Sequence, residues 1–359
     1  MDIEFHYYMT YLIAAKAGYS VSDSTSIAHA AQSVDDNHIP VRLVDDGGIS
    51  YENSISQTMD ILRPHEDSLI YPIFHFIPGD PKAPSTRRTD GAERQMVTTP
   101  NSALANKMLD AALKSKDLYR IGVSAHGYVD TWAHQNFVGG RDTFNEFVTA
   151  FWERVEQMLL AVGHAHAKHM PDWPALVWKD TRLVDSTVDN RARFLDAAGC
   201  LLKKFLGQTK PNLSLDQINQ EVASLRADLD ADIGPRDDEN VRSGIRIANF
   251  TNRGMQKGYG GVEIPPYVTG TWFAEAIQEN RDDVLNNMKF HFKLPAVASL
   301  ADLAAFASDV YSDGNRQNLT WRTPNPDQYT TTNWYRFQEA VKSHLSECTE
   351  MLHKNVDAR

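Results

Sequence analysis

The stretch YRIGVSAHGYVDTWAHQNFVGG, residues 119–140, constrains this chain more than any other. Its pattern predicts an amphipathic helix carrying His126, Asp130 and His134 at i, i+4 and i+8. At about 100° per residue these side chains drift only ~40° per step, so they share one face. They span roughly 12 Å along the axis, too far for one ion to collect all three without strain. Neighbours within the trio can share an ion, and Asp130 can bridge to a second. The register therefore predicts two or three metals laid along a helix, with Ile121, Val123, Tyr128 and Val129 making apolar contacts elsewhere on it. A lone histidine is by default a satisfied core or surface group; three potential ligands in register point to ligation.

The remaining composition sets the frame. A chain of 359 residues, 42% hydrophobic and 23% charged, has the makeup of a soluble globular protein of one large or two ordinary domains. A net charge of −11 argues against broad attraction to nucleic acid or anionic membranes. It leaves room for a phosphorylated substrate, because bound cations reverse the local field. Cys200 and Cys348 are the only cysteines, so no disulfide framework is required. The opening MDIEFHYYMTYLIAAKAG has no basic segment and is too short and polar for a signal peptide or a membrane span. The expectation is a cytoplasmic protein with no leader to remove and no integral membrane segment.

In chain order, helices are expected over 5–18, stopped by Gly18, and from the caps in SVSDST to Asp35 or Asp36. Residues 39–55 read as a short hairpin, and SLIYPIFHFIPGDP delivers His75 from a buried apolar run. The polar segment 81–99, with Arg87, Arg88 and Arg94, reads as a loop or mobile lid that overhangs the site and attracts an anionic substrate. Further helices are expected from Pro100 to Ser115 and from Arg141 to Ala167, the latter ending on His164, His166 and His169. Ten of the thirteen histidines lie at or before His169. Later helices are expected at 189–207, 214–231, 270–288, 299–311 and 330–353. Two regions result: a metal-binding helical core, 1–180, and a helical scaffold or pocket wall, 181–359, packed on it as one unit.

The early half offers His6, Asp35 or Asp36, His75, His126, Asp130, His134, His164 and Asp172 as ligands. Imidazole and carboxylate without cysteine suit catalytic zinc, and would also suit manganese or iron. His75, flanked by large apolar residues in IFHFI, needs a partner if buried. His6 in FHYY is balanced between packing and ligation. Asp35 and Asp36 end a helix and could be solvated, and a helix C-terminus is reason enough for His164 and its neighbours. His29, His38 and His65 read as non-ligating. The chain has no HExxH, no phosphate-binding GxxxxGK[ST] and no adjacent His-Asp pair. The glycine after Ser124 comes one place too late for a nucleophile elbow.

An early His6, a helix ending SVDD, the HFI segment at His75, the spacing AHGYVD and the following AHQNF resemble the zinc-dependent phospholipase C and S1/P1 nuclease superfamily. That resemblance implies a mainly α, multi-helix phospholipase C/P1 nuclease-like bundle, with the short β excursion and a helical C-terminal elaboration. It also implies that His75, His126, Asp130 and one of Asp35 or Asp36 hold one zinc. His134, His164 and a carboxylate, Asp172, would hold a second, and a third would lie between Asp130 and His6. Secreted members bind that third ion through a processed N-terminal tryptophan; here Asp2 or Glu4 would have to substitute. The acid those members carry four residues after the last histidine is absent, since Lys168 stands four after His164. The wording FHYYMTYLIAAKAG, AAQSVDDN and HGYVDTWAHQNFVG is also similar to an uncharacterised bacterial domain family over most of the chain.

The expected activity is hydrolysis of a phosphoester, on a small anionic molecule or lipid headgroup, with Asp130 and Asp35 as the acids of catalysis and two or three zinc ions activating water. The same cluster could instead hydrolyse an amide or ester, or serve a metal-stabilised binding protein without turnover.

Overall fold

The computed structural model describes residues 1–45, 48–57, 67–147, 163–278, 317–323 and 325–357. They form a mainly helical assembly. The chain opens with a π-helical turn, Glu4–Met9, that runs into α1, Thr10–Ala17. Gly18 stops it in the left-handed region at φ 106°. Ser20 then caps α2, Val21–Asp36, by accepting from the Asp23 N–H. Strands β1, Val41–Asp45, and β2, Gly48–Glu52, form the expected hairpin. Next come α3, Asp67–Phe74, α4, Ala103–Ser115, and α5, Leu118–Ala133.

Helix α5 is the centre of the molecule. From Ile121 to Ala133 every residue is buried, and α2, α3, α4 and α6 (Asn190–Thr209) all pack on it. Two glycines set how closely they do so. A Cβ at Gly122 would fall 2.4 Å from the Ile27 carbonyl oxygen and 2.7 Å from the Ala30 Cβ. A Cβ at Gly127 would fall 2.8 Å from the Phe74 carbonyl oxygen. Their bare backbone lets α2 and the end of α3 touch α5, which brings Asp35 and His75 to the His126–Asp130 face.

The predicted helix through Gly140 ends early, at Ala133, with His134 as its C-cap. Asn136 turns out of the helix at φ 73°, and its N–H donates to the Thr98 carbonyl at 3.1 Å. The Thr98 N–H returns a bond to the Phe137 carbonyl at 2.9 Å. Pairing with residues 97–98 thus overrides the helical pattern after residue 134. His134 keeps its place because its N–H still donates to the Asp130 carbonyl at 2.8 Å. Most of the expected helix from Arg141 to Ala167 lies outside the described residues, as do the one at 299–311 and the end of the one at 270–288. What is described at the ends of 141–167 is two 3-10 turns, Thr143–Asn145 and Ala165–Ala167.

The later helices α6 and α7, Leu215–Ile233, fall where their periodicity and caps place them. Helix α8, Ser243–Gly254, lies outside the expected helices; its N-cap residue, Arg242, makes no side-chain capping bond. Short strands β3, Val177–Lys179, and β4, Thr187–Asp189, pair antiparallel, and β5, Gln317–Leu319, adds in parallel to β1. Helices α9, Thr271–Ala276, and α10, Pro326–Tyr329, are short; α11, Asn333–Asp357, packs on α3, α4 and α5. One apolar core runs through both halves of the chain. Phe194 of α6 meets Phe5 at 5.6 Å between ring centroids, and Trp132 donates to Asp196 at 2.8 Å. Among the described residues, no helix is long and apolar enough to cross a membrane.

Candidate metal centre

Four of the histidines share one wiring scheme. His126 Nδ1 lies 2.9 Å from the Ala31 carbonyl oxygen, and His134 Nδ1 lies 2.9 Å from that of His75. His75 Nε2 lies 2.9 Å from the Ser56 oxygen, and His164 Nδ1 lies 2.8 Å from the Lys168 oxygen. A carbonyl can only accept, so each contacting nitrogen carries the proton and donates. Burial, the largest influence, pushes His126 and His134 down to about 4 despite the nearby Asp130 carboxylate, so both rings are neutral near pH 7. Each neutral ring then presents a bare lone pair from its other nitrogen.

Those lone pairs face carboxylates. His126 Nε2 is 3.2 Å from Asp130 Oδ2 and 3.6 Å from Asp35 Oδ1. His75 Nδ1 is 3.4 Å from Asp130 Oδ2, 3.8 Å from Asp35 Oδ1 and 3.1 Å from His126 Nε2. Tetrahedral zinc with bonds near 2.0 Å has ligand–ligand edges of about 3.3 Å. Asp35 Oδ1, His75 Nδ1 and His126 Nε2 therefore form one group with separations close to those edges, and Asp130 Oδ2 lies beside its two rings. Acceptors aimed at acceptors are repulsive unless a cation lies between them. The Oδ2 of Asp130 and both ring nitrogens of His6 are buried without a hydrogen bond.

A second group gathers beside the first. His134 Nε2 lies 3.2 Å from Asp172 Oδ1, and His164 Nε2 lies 3.5 Å from Asp172 Oδ2. The other oxygen of Asp130 turns away from the first group, 3.2 Å from His6 Nε2 and 2.5 Å from the α-amino nitrogen of Met1. That nitrogen is also 3.3 Å from Asp172. Three groups of possible ligands result: Asp35–His75–His126, His6–His126–Asp130 and His134–His164–Asp172. His126 is common to the first two, and Asp130 Oδ2 also lies 3.4 Å from His75 of the first.

The electrostatics ask for positive charge. Burial and then the neighbouring Asp130 charge push Asp35 well above the usual carboxylate range. Burial opposes ionisation of Asp130 and Asp172 too, but the surrounding histidines and the Met1 amine outweigh it and hold both low. Burial likewise opposes charge on the Met1 amine, yet Asp130, Asp172 and Asp35 together push it up to about 11. Among the described residues no lysine or arginine pairs with Asp35, Asp130 or Asp172. The donor set, its spacing and its unbalanced charge fit transition-metal ions.

The structure separates some residues that the sequence left together. Asp36 turns from Asp35 and accepts from the Tyr267 hydroxyl at 2.5 Å, so Asp35 alone of the pair stands among the histidines. Glu4 is not free to substitute at a third ion, because Arg246 binds both its oxygens, at 2.7 and 2.9 Å. Asp2 lines the pocket over the site. The His166 side chain lies outside the description, His169 is exposed, and His29 stacks on Trp272 at 3.9 Å.

A pocket of about 440 Å³ opens over these groups, lined by Asp35, His75, His134, His164 and Asp172 among others. That volume suits a small molecule. Contrary to expectation, no residue of 81–99 lines it. Arg88 is buried, bonded to Asp90 and the Phe144 carbonyl, and Arg94 pairs with Asp142 at 3.1 Å. Backbone bridges at Arg88–Leu183 and Val97–Val138 fix the segment further. Arg88 and Arg94 thus serve contacts within the protein and do not line this pocket, while Arg87 is exposed and outside its lining. Nor does any described residue after Asp172 line this pocket. Sequence reasoning missed Lys168 and Gln32 as lining residues. Gln32 stands one turn before Asp35 on α2, a spacing from which it could have been found.

Fold and site define a mainly helical protein with buried His/Asp groups able to hold metal. The chain belongs to the family of unknown function DUF6765, which matches residues 1–352. No curated protein and no solved structure matches it.

Proposed function

We propose that this protein is a metal-dependent hydrolase, a phosphoesterase with a di- or trinuclear zinc-type cluster. The observation that carries the reading is the placement of Asp130, one oxygen 3.4 Å from His75 and 3.2 Å from His126 and the other 3.2 Å from His6. The likeness to the phospholipase C and S1/P1 nuclease superfamily, resting on His6, His75, His126, Asp130 and His134, supports the same reading. A cluster held there would supply Lewis acidity and an activated water.

This chain's own residues do the rest. Asp35, His75, His126 and Asp130 would hold one ion; His134, His164 and Asp172 another; His6 and Asp130 a third. The carbonyls of Ala31, Ser56, His75 and Lys168 fix the ring tautomers and orientations. The pocket admits a small phosphoester to the open side of the cluster. Full ligation by protein atoms alone would favour a structural role, whereas the group around Asp172 supplies three donors beside an open pocket. The test is a panel of phosphomonoesters, phosphodiesters, carboxylic esters and amides, run on zinc-loaded and chelated protein. Metal-dependent turnover of phosphoesters alone is expected. Turnover of esters or amides in their place, or of nothing in a fully metallated protein, overturns the proposal.

A further inference from the structure

Lys168 combines two features that its neighbours lack. Its backbone sits at φ 50°, ψ −128°, a conformation that favours glycine and strains a side chain. In that conformation its carbonyl accepts from His164 Nδ1 at 2.8 Å and so orients a possible metal ligand. A glycine would place the same carbonyl without the strain. The side chain nevertheless present is the single lysine or arginine among the described residues lining the pocket. It is exposed and forms no ion pair among the described residues.

We propose that the Lys168 ammonium is a specificity-determining group that receives the second negative charge of a phosphomonoester. The inference rests on the metal pocket being a phosphoryl site. The cluster itself can meet the single charge that every phosphoester carries. A monoester differs from a diester by roughly one further charge on a terminal oxygen near pH 7. An exposed cation on a residue that lines the pocket, outside the ligand set, can read that difference. Asp2 and Asp36 are the lining acids outside the proposed ligand set, and Lys168 is the one lysine or arginine among the described residues there to offset their effect on an extra negative charge.

The test uses full-length zinc-loaded protein, wild type, Lys168→Met and Lys168→Gly. The glycine variant keeps the carbonyl and relieves the backbone, so it guards against misfolding. Calorimetry with inorganic phosphate and with dimethyl phosphate measures binding without any need for turnover. We expect both variants to keep their metal content and to weaken phosphate binding about fivefold, the upper range for an exposed pair. Dimethyl phosphate affinity should change by less than about twofold. Where monoesters and diesters are both turned over, KM should follow the same split with kcat little altered. Equal effects on both ligands, no effect on either, loss of metal, or no phosphate binding by the wild type overturns the inference. Selective weakening of phosphate in a protein that hydrolyses no phosphoester would sustain this inference and sink the proposed function.

Discussion

The His126 imidazole is pinned by the Ala31 carbonyl, 2.9 Å from its Nδ1, across the contact between α5 and α2. That bond turns a neutral Nε2 lone pair onto the oxygens of Asp130 and Asp35. The backbone of one helix thereby sets the metal-facing atom of another, and Gly122 controls the distance between them.

Gly122→Ala should therefore damage the site from a distance. The new Cβ, 2.4 Å from the Ile27 oxygen and 3.1 Å from the Ala31 nitrogen, would push α2 off α5. Overpacking of this kind costs about 1–3 kcal/mol. Chemical denaturation should show that loss, and metal titration should show weaker binding. Unchanged metal affinity would mean that the Ala31 bond does not orient His126.

Asp130→Asn keeps the volume and removes the charge that faces both ligand groups. We expect loss of at least one ion and most activity, with helical circular dichroism retained. His29→Gln, against Trp272 and away from the ligands, should alter neither metal content nor turnover. Full metal and turnover in Asp130→Asn would refute the bridging role.

Arg246 ties the first turn to α8, and here stability is at stake. It is buried between Glu4 and Asp237, 2.8 Å from the latter, and Glu4 lies two residues before His6. Arg246→Met would leave two carboxylates buried without their partner, costing about 3–5 kcal/mol. Thermal unfolding measures that loss. A change below about 1 kcal/mol would show that the network relaxes into solvent.

Acid should weaken the metal-free fold through buried histidines outside the cluster. Burial pushes His29 down to about 4 and His344, beside Arg120, to about 3, from 6.5. Between 6.5 and those values the unfolded chain binds protons that the folded one does not. Stability is thus full above 6.5 and falls as pH drops towards 4, by on the order of 3 kcal/mol for His29. Denaturation midpoints of chelated protein across that range should fall with pH, and less steeply in His29→Gln. A flat profile would contradict the assignment.

Much of this was legible in the residues. Ser20 and Gly18 bracket helices by local capping, and the i, i+4 register of His126 and Asp130 needs only helical geometry. The choice between Asp35 and Asp36 was not legible, because it depends on Tyr267, far along the chain, claiming one of them. The carbonyl acceptors that fix each histidine have no side-chain signature at all. Helix α8 escaped because its start lacks a cap, and with it went the partner of Glu4. Arg88 and Arg94 misled because charge in a loop resembles steering until Asp90 and Asp142 are seen beside them.

Elemental analysis of protein purified without added metal tests the central claim most directly. The account predicts two or three transition-metal ions per chain, and lower thermal stability after chelation, since metal binds the folded state. Less than about one ion, with no uptake when zinc or manganese is supplied, would contradict it.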